Sequence, residues 1–465
     1  MAATVRDPSA AVEAMAEDYP LVASLLGGTR AMRAAAKTYL PQWPNEQNDA
    51  YTNRLKTATL FPAFSRTCEV LTGKPFSKQV TLGDDVPEQM AQWAENIDLQ
   101  GHNLHGFAAA VCFHALSYGM CGILVDFPLT RGKLKTRADE HAAGVRPYFV
   151  HIHAQNVLGW RAQRIDGVLT LTQLRFVEQV AEPDGAFGEA LIEQVRVLYP
   201  GKWEVWRESA NVDADSKKIW VLHDSGTTTL KKIPYVPVYG KRTGFMQGVS
   251  PLIELAHMNI EHWQSKSDQQ TILHIARVPI LFGKKLGDAN IVVGGSSAII
   301  SDDPDADMKF VEHSGQAIEA GRRELLDLED RMRQTGAELL VIKPGNRTVA
   351  QTISDNEAGM CALQRIVQDL EDSLDQALQL MAEWVKQPEG GHVSIFNDFG
   401  VASLAEASLA LLREMNIDGT FSDESLYREA QRRGIVSPDV DWESEKKRIT
   451  QNTDKTLRGQ VKLSD

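Results

Sequence analysis

The spacing of apolar positions changes period twice along this chain. Up to about residue 127 it is helical. In YTNRLKTATLFPAFSRTCEVL, Leu55, Ala58, Phe61 and Phe64 recur at three-residue steps, and Pro62 marks a break or restart. HNLHGFAAAVCFHALSY, His102 to Tyr118, predicts another helix, after which Gly119 and Gly122 release the chain into the strand ILVDF. From Pro147 to about Gly240 the period is two. The runs YFVHIH, VLTLTQLRFVEQV, IEQVRVLY, WEVWRE, KIWVLH and YVPVYG are rich in β-branched and aromatic residues and are parted by turn chemistry such as IDG, YPGK and HDSG. They predict an antiparallel meander or small sandwich with local connections.

After Gly240 the helical period returns. Ser250 is placed to cap a helix, Pro251 suits its first position, and Glu254 sets a negative charge near the positive end of the dipole. Leu252, Leu255, Ala256 and Trp263 mark an apolar side. Then QSKSDQQT, Gln264 to Thr271, offers eight residues with nothing apolar, before Ile272, Ile275 and Ala276 return and Pro279 stops the helix. Roughly 28 residues at about 1.5 Å each span about 42 Å. Such a middle leaves the helix without an apolar side to pack against a core.

A compact, turn-rich segment follows, with strand-like ILFG, IVVG, AII and KFVEH, and then a second long helix, QAIEAGRRELLDLEDRMRQTGAELL, whose Ile318, Leu325, Met332 and Leu339 lie seven apart. A third helix is expected from Ser354, with Glu357 three residues on as a capping box. Its Met360, Leu363, Val367, Leu370, Leu374, Ala377, Met381 and Trp384 alternate spacings of three and four. That pattern fits a coiled-coil seam or a helix wedged between neighbours, and equally a long core helix of a single chain. Two shorter helices, Ser403 to Met415 and Ser422 to Arg433, precede a charged tail.

Composition narrows the function classes. At 465 residues the chain exceeds one compact core, and its 43 % apolar and 24 % charged residues are ordinary for a globular protein. The formal net charge of −13 disfavours a sequence-reading nucleic-acid binder, which needs a basic surface, but not a protein that DNA merely passes. Cys68, Cys112, Cys121 and Cys361 show no paired spacing, so buried reduced thiols are expected. The start of the chain lacks a basic-then-apolar signal, and no apolar run approaches the roughly 18 residues that span a bilayer. A cytoplasmic setting is the expectation.

No motif makes a case for catalysis, so no catalytic residue, metal or cofactor is expected. His257 and His262 are five apart, about 140° around a helix, and do not converge. His102 and His105 could, but lack a third ligand nearby. Asp302, Asp303, Asp305 and Asp307 miss the Gly and Glu of a calcium loop. GGSSA lacks the Lys of a phosphate loop, and there is no GxSxG elbow.

The order of segments carries more. A helical start, a β-rich body, a long helix opening SPL, a compact insert, a returning helix, a loop, a very long helix and a helical tail together resemble the portal proteins of tailed double-stranded DNA phages. The residues that carry the resemblance are IPYVPVYG followed by GVSPLIELAHMNIEHWQSKSD, with echoes in ALSYGMCGILVDF and GAELLVIKPGNRTVAQTISDNEAG. It covers roughly residues 50 to 450. The chain is at the short end for portals, and its insert is compact.

The resemblance implies an α+β fold and a ring, typically of twelve subunits, at one capsid vertex of a virion, assembled in the host cytoplasm. Its parts would be a helical and β-rich wing over 1–249, a first stem helix over 250–278, a small α/β clip over 279–314 and a second stem helix over 315–337. A tunnel loop over 338–353, a long wing helix over 354–400 and a C-terminal crown over 401–465 would follow. Partners would be further copies of the chain, the major capsid protein, the terminase large subunit, a head-tail adaptor, and duplex DNA passing without sequence specificity. Lys343, Asn346 and Arg347 would face the DNA, Gln264, Lys266, Asp268 and Gln269 would line the stem, and Leu363, Val367, Leu370, Leu374, Ala377 and Met381 would pack between subunits. Two other readings compete: a non-viral scaffold dimerising through Met360 to Trp384, and an enzyme with a β-rich substrate domain.

Overall fold

The computed structural model describes residues 4–128, 144–212, 218–277, 280–284, 304–311, 315–340, 360–398, 422–432 and 441–448. They form an α+β fold that divides into two compact units. One comprises Met1–Tyr19, Thr67–Pro251 and Ala337–Asp465, the other Pro20–Arg66 and Leu252–Gly336. The first 127 residues are mainly helical, and the helices Asn48–Thr57 and Ala63–Gly73 are separated at Pro62.

In the larger unit the helix Leu104–Tyr118 begins where the Asn103 side chain accepts the Gly106 N–H and ends at Gly119, which adopts φ 87°. The strand that follows, Met120–Asp126, is the middle of a three-stranded antiparallel sheet between Tyr148–His153 and Tyr235–Tyr239. Residues 120–125 are buried on both faces, which is why this stretch reads as a continuous apolar run without alternation. Between the two flanking strands the chain makes the meander that the period-two pattern predicts. Val157–Ile165, Val168–Asp184, Gly188–Tyr199, Lys202–Val212 and Lys218–Thr227 pair in sequence order. YFVHIH and YVPVYG belong to the three-stranded sheet instead. Met120, Leu124, Ile152, Leu174, Phe176, Trp203 and Tyr235 meet in one apolar core.

The meander forks at one end. Pairing of Gly188–Tyr199 with Lys202–Val212 stops at Gln194 and Arg207, while the hairpin on either side runs on. The first arm ends at Phe187, which is fully exposed, with Leu191 69 % exposed beside it.

The helix Ala362–Val385 packs on the same three-stranded sheet. Trp384 Nε1 donates to the Val125 carbonyl at 3.0 Å and its ring stacks on Phe127. Leu363, Val367, Leu374, Ala377 and Met381 are 0 % exposed and Leu370 1 %. These six residues, expected to pack between subunits, are covered by their own chain. Met360 is exposed and precedes the helix, which Cys361 caps with Gln364 completing a capping box.

In the smaller unit the two long helices span Ile253–Ala276 and Gln316–Ala337, and the insert between them contains an antiparallel pair, Ile280–Lys284 with Asp307–Val311. IVVG and AII lie outside the described residues. Leu21, Val22, Leu25, Met32, Leu40, Phe64, Leu255, Trp263, Leu328 and Met332 are buried. Near the C-terminus the helix Asp423–Arg432 forms as predicted, and residues 442–448 are helical, with Trp442 against Tyr427. The expected helix from Ser403 and the capping residues Ser354 and Glu357 lie outside the described residues.

Candidate functional site

Three places gather chemistry. The first is the junction at which the quoted motifs ALSYGMCGILVDF, IPYVPVYG and GVSPL meet. Met120 pairs with Tyr239 and Leu124 with Tyr235, and the Gly240 N–H donates to the Gly119 carbonyl at 2.9 Å. Ser250, which the sequence marks as a cap, donates its hydroxyl to the Leu116 carbonyl at 2.7 Å. Side chains are excluded here. A Cβ at Gly119 would lie 2.1 Å from the Val249 carbonyl carbon, one at Gly240 2.2 Å from the Ala115 oxygen, and one at Gly122 2.1 Å from the Tyr235 ring. Beside it, Asp126 accepts two hydrogen bonds from Arg196, at 2.6 and 2.8 Å, at the edge of a cavity of about 230 Å³ lined by Phe127, Trp203 and Trp384.

The second is the polar middle of the helix Ile253–Ala276, which has partners in its own unit and does not border water alone. Gln264 donates to the Tyr39 carbonyl at 3.1 Å and Gln269 to that of Ile318 at 2.8 Å. Gly321 lets Gln269 approach, since a Cβ there would lie 2.2 Å from Oε1. Asp268 lies 3.7 Å from the Arg54 guanidinium. Arg54 is in turn held by two 2.8 Å bonds to Glu46, by the Pro41 carbonyl, and by the Trp43 ring at 4.2 Å. The Arg54 hydrogen bonds hold the Glu46 carboxyl below its ordinary range, whereas burial pushes Asp268 up. One turn earlier Asn259, fully buried, accepts the Phe64 N–H and donates to the Phe61 carbonyl, and His262 Nε2 lies 3.3 Å from Glu329. Ser267 and Gln269 are buried and Lys266 half-buried. The picture of this stretch as lacking partners within one chain is thus corrected. Lys343, Asn346 and Arg347 lie outside the described residues.

The third place is one that the sequence reading missed. His114, on the helix Leu104–Tyr118, meets His151 and His153 from the strand Tyr148–His153, with ring centroids 4.3 to 5.2 Å apart. The Ala154 N–H donates to His114 Nε2 at 3.3 Å, and Tyr118 stacks on the same ring. Burial pushes His114 down to about 2 and His151 down to about 3, so all three rings are neutral near pH 7. Two histidines at alternate positions in YFVHIH were the available signal, because that spacing puts both on one face of a strand. The four cysteines are free and buried as expected, and burial pushes the Cys68 and Cys112 thiols up to about 12.

A family model described as a domain of unknown function (DUF4055) matches residues 251–385, less than half of the chain. The match begins at Pro251 and takes in all three long helices. No curated protein matches the chain. Among solved structures, a chain from "Virion of native gene transfer agent (GTA) particle" is 10 % identical, with 86 % of this chain and 97 % of that chain covered at a TM-score of 0.38. A chain from "Neck of empty GTA particle computed with C6 symmetry" is 12 % identical, with 84 % and 96 % covered at a TM-score of 0.39.

Proposed function

We propose that the chain is a portal subunit: a ring-forming structural protein at the single vertex of a phage-like capsid, through which duplex DNA is packaged and ejected. The observation that carries this reading is the glycine junction. ALSYGMCGILVDF and the later segment running from IPYVPVYG to GVSPL resemble portal sequences and lie far apart along the chain, yet the Gly240 N–H bonds the Gly119 carbonyl and the Ser250 hydroxyl the Leu116 carbonyl.

The division of the chain supports the same reading. Two long helices linked by a compact insert group apart from the β-rich body, as stem and clip would. In this role the clip docks the terminase and then a head-tail adaptor, and the β-rich body meets the capsid. The negative balance of the chain keeps DNA moving, because each added phosphate contact would raise salt-sensitive affinity. The residues that join neighbouring copies are sought among exposed apolar groups such as Phe187 and Leu191, since the long-helix stripe is occupied.

Mass photometry and negative-stain microscopy of the purified chain test the proposal. A particle near twelve times 51.5 kDa with a central hole is expected. A stable monomer or dimer at micromolar concentration would overturn it.

A further inference from the structure

His151 and His153 stand two apart on the strand Tyr148–His153, so the pleat turns both toward the face that carries Phe149. That face meets the helix Leu104–Tyr118, where Phe107 packs against Phe149 and His151. His114 follows two turns later on the same helix and completes a group of three imidazoles. One ligand nitrogen from each of the three lies within 4.8 Å of the other two, the only such group of three or more His, Cys, Asp or Glu among the described residues.

We propose that His114, His151 and His153 bind one divalent transition-metal ion of the zinc type, with a fourth position open to water. The residue types favour such an ion over magnesium or calcium, since imidazole suits zinc, copper and nickel whereas the harder cations need carboxylate and carbonyl oxygens. Zinc bound to nitrogens at about 2.0–2.1 Å in a tetrahedral site brings those nitrogens to roughly 3.3 Å from one another. His153 is exposed and can turn inward to close that gap.

A second observation points the same way. His151 Nε2 is buried without a hydrogen-bond partner, although nearly all buried polar atoms in folded proteins have one. A metal supplies that partner. The Ala154 N–H donates to His114 Nε2 at 3.3 Å, a long bond that the metal would replace at that nitrogen. Packing of three aromatic rings would explain the stacking alone, but not the orphaned nitrogen. The site would tie the helix to the outer strand of the three-stranded sheet across residues 129–143.

The test is calorimetric titration of untagged full-length chain with Zn²⁺ alone, after treatment with a chelator, beside the variants His153→Gln and His151→Gln/His153→Gln. Wild type is expected to bind one ion per chain and to unfold at a higher temperature with Zn²⁺ than without. Loss of even an outer partner of a metal ligand costs about 10- to 100-fold in affinity. Loss of a ligand should therefore cost at least about 100-fold. Co²⁺ in place of Zn²⁺ should give the intense visible bands of tetrahedral coordination in wild type and lose them in the double variant. His153 is exposed, so its variant keeps its metal-free melting temperature and serves even where His114→Gln fails to fold. No saturable binding by wild type, or equal affinity in the double variant, overturns the site.

Discussion

Arg54 and Glu46 show how a single ion pair can hold a polar seam. Both side chains are more than nine-tenths buried, and the two 2.8 Å bonds between them leave Glu46 more acidic than an ordinary carboxyl near 4.5. The sign of the pH effect follows. The unfolded chain protonates Glu46 at higher pH than the folded chain does, so the stabilisation is complete above the ordinary value and is lost as pH falls through the lowered one. Asp268, raised first by burial and last by the Glu46 charge, acts in the opposite direction, and a change at Glu46 removes only the smallest of its causes. Urea unfolding between pH 6 and 3 should therefore show a flatter acid limb for Glu46→Gln than for wild type. Parallel limbs would mean that the pair does not titrate as drawn. None of this was legible in the sequence, because Arg54 and Asp268 are more than two hundred residues apart and nothing in either stretch names the other.

Helices were legible as elements and misleading as surfaces. The eight residues QSKSDQQT were readable as a helix with no apolar side, but a polar side chain has two ways to be satisfied: water, or a backbone carbonyl such as those of Tyr39 and Ile318. Only tertiary structure tells which. The alternation of threes and fours along Ala362–Val385 has the same limit, since an intersubunit seam and a core helix demand the same apolar stripe. The β-rich region was the clearest part, because strict alternation with turns between has one simple solution. Its first strand, Val157–Ile165, and the assignment of YFVHIH to another sheet were not visible, because pairing partners are chosen by the whole fold. For the buried helix the expected outcome is an intrinsic loss. Leu374→Ala should lower stability by about 3 kcal/mol through the cavity it leaves. Urea unfolding should show a lower midpoint with an unchanged slope, and mass photometry should show the same particles as wild type. Particles smaller than those of wild type would return the stripe to an interface.

At the scale of the whole molecule the question is what joins one copy to the next. The most exposed apolar side chain among the described residues, Phe187, sits at the end of a projecting two-stranded arm, with Leu191 on the same arm. Replacing both by Asp should leave melting unchanged, since surface substitutions usually fall within about 0.5 kcal/mol. The variant should shift the particles seen by mass photometry toward smaller species. Full-size rings from the double variant would place the contact elsewhere.

The three-stranded sheet also sets a timetable for folding. Its middle strand, Met120–Asp126, acquires its last partner only at Tyr235–Tyr239, after the entire meander has been made. Closing so long a loop is slow, because chain entropy must be spent before any pairing rewards it. Until then a growing chain on the ribosome displays a buried-type strand with one unpaired edge, the kind of template that attracts other chains. The vulnerable interval in the life of this protein therefore falls during its synthesis, between the emergence of the middle strand and that of its final neighbour.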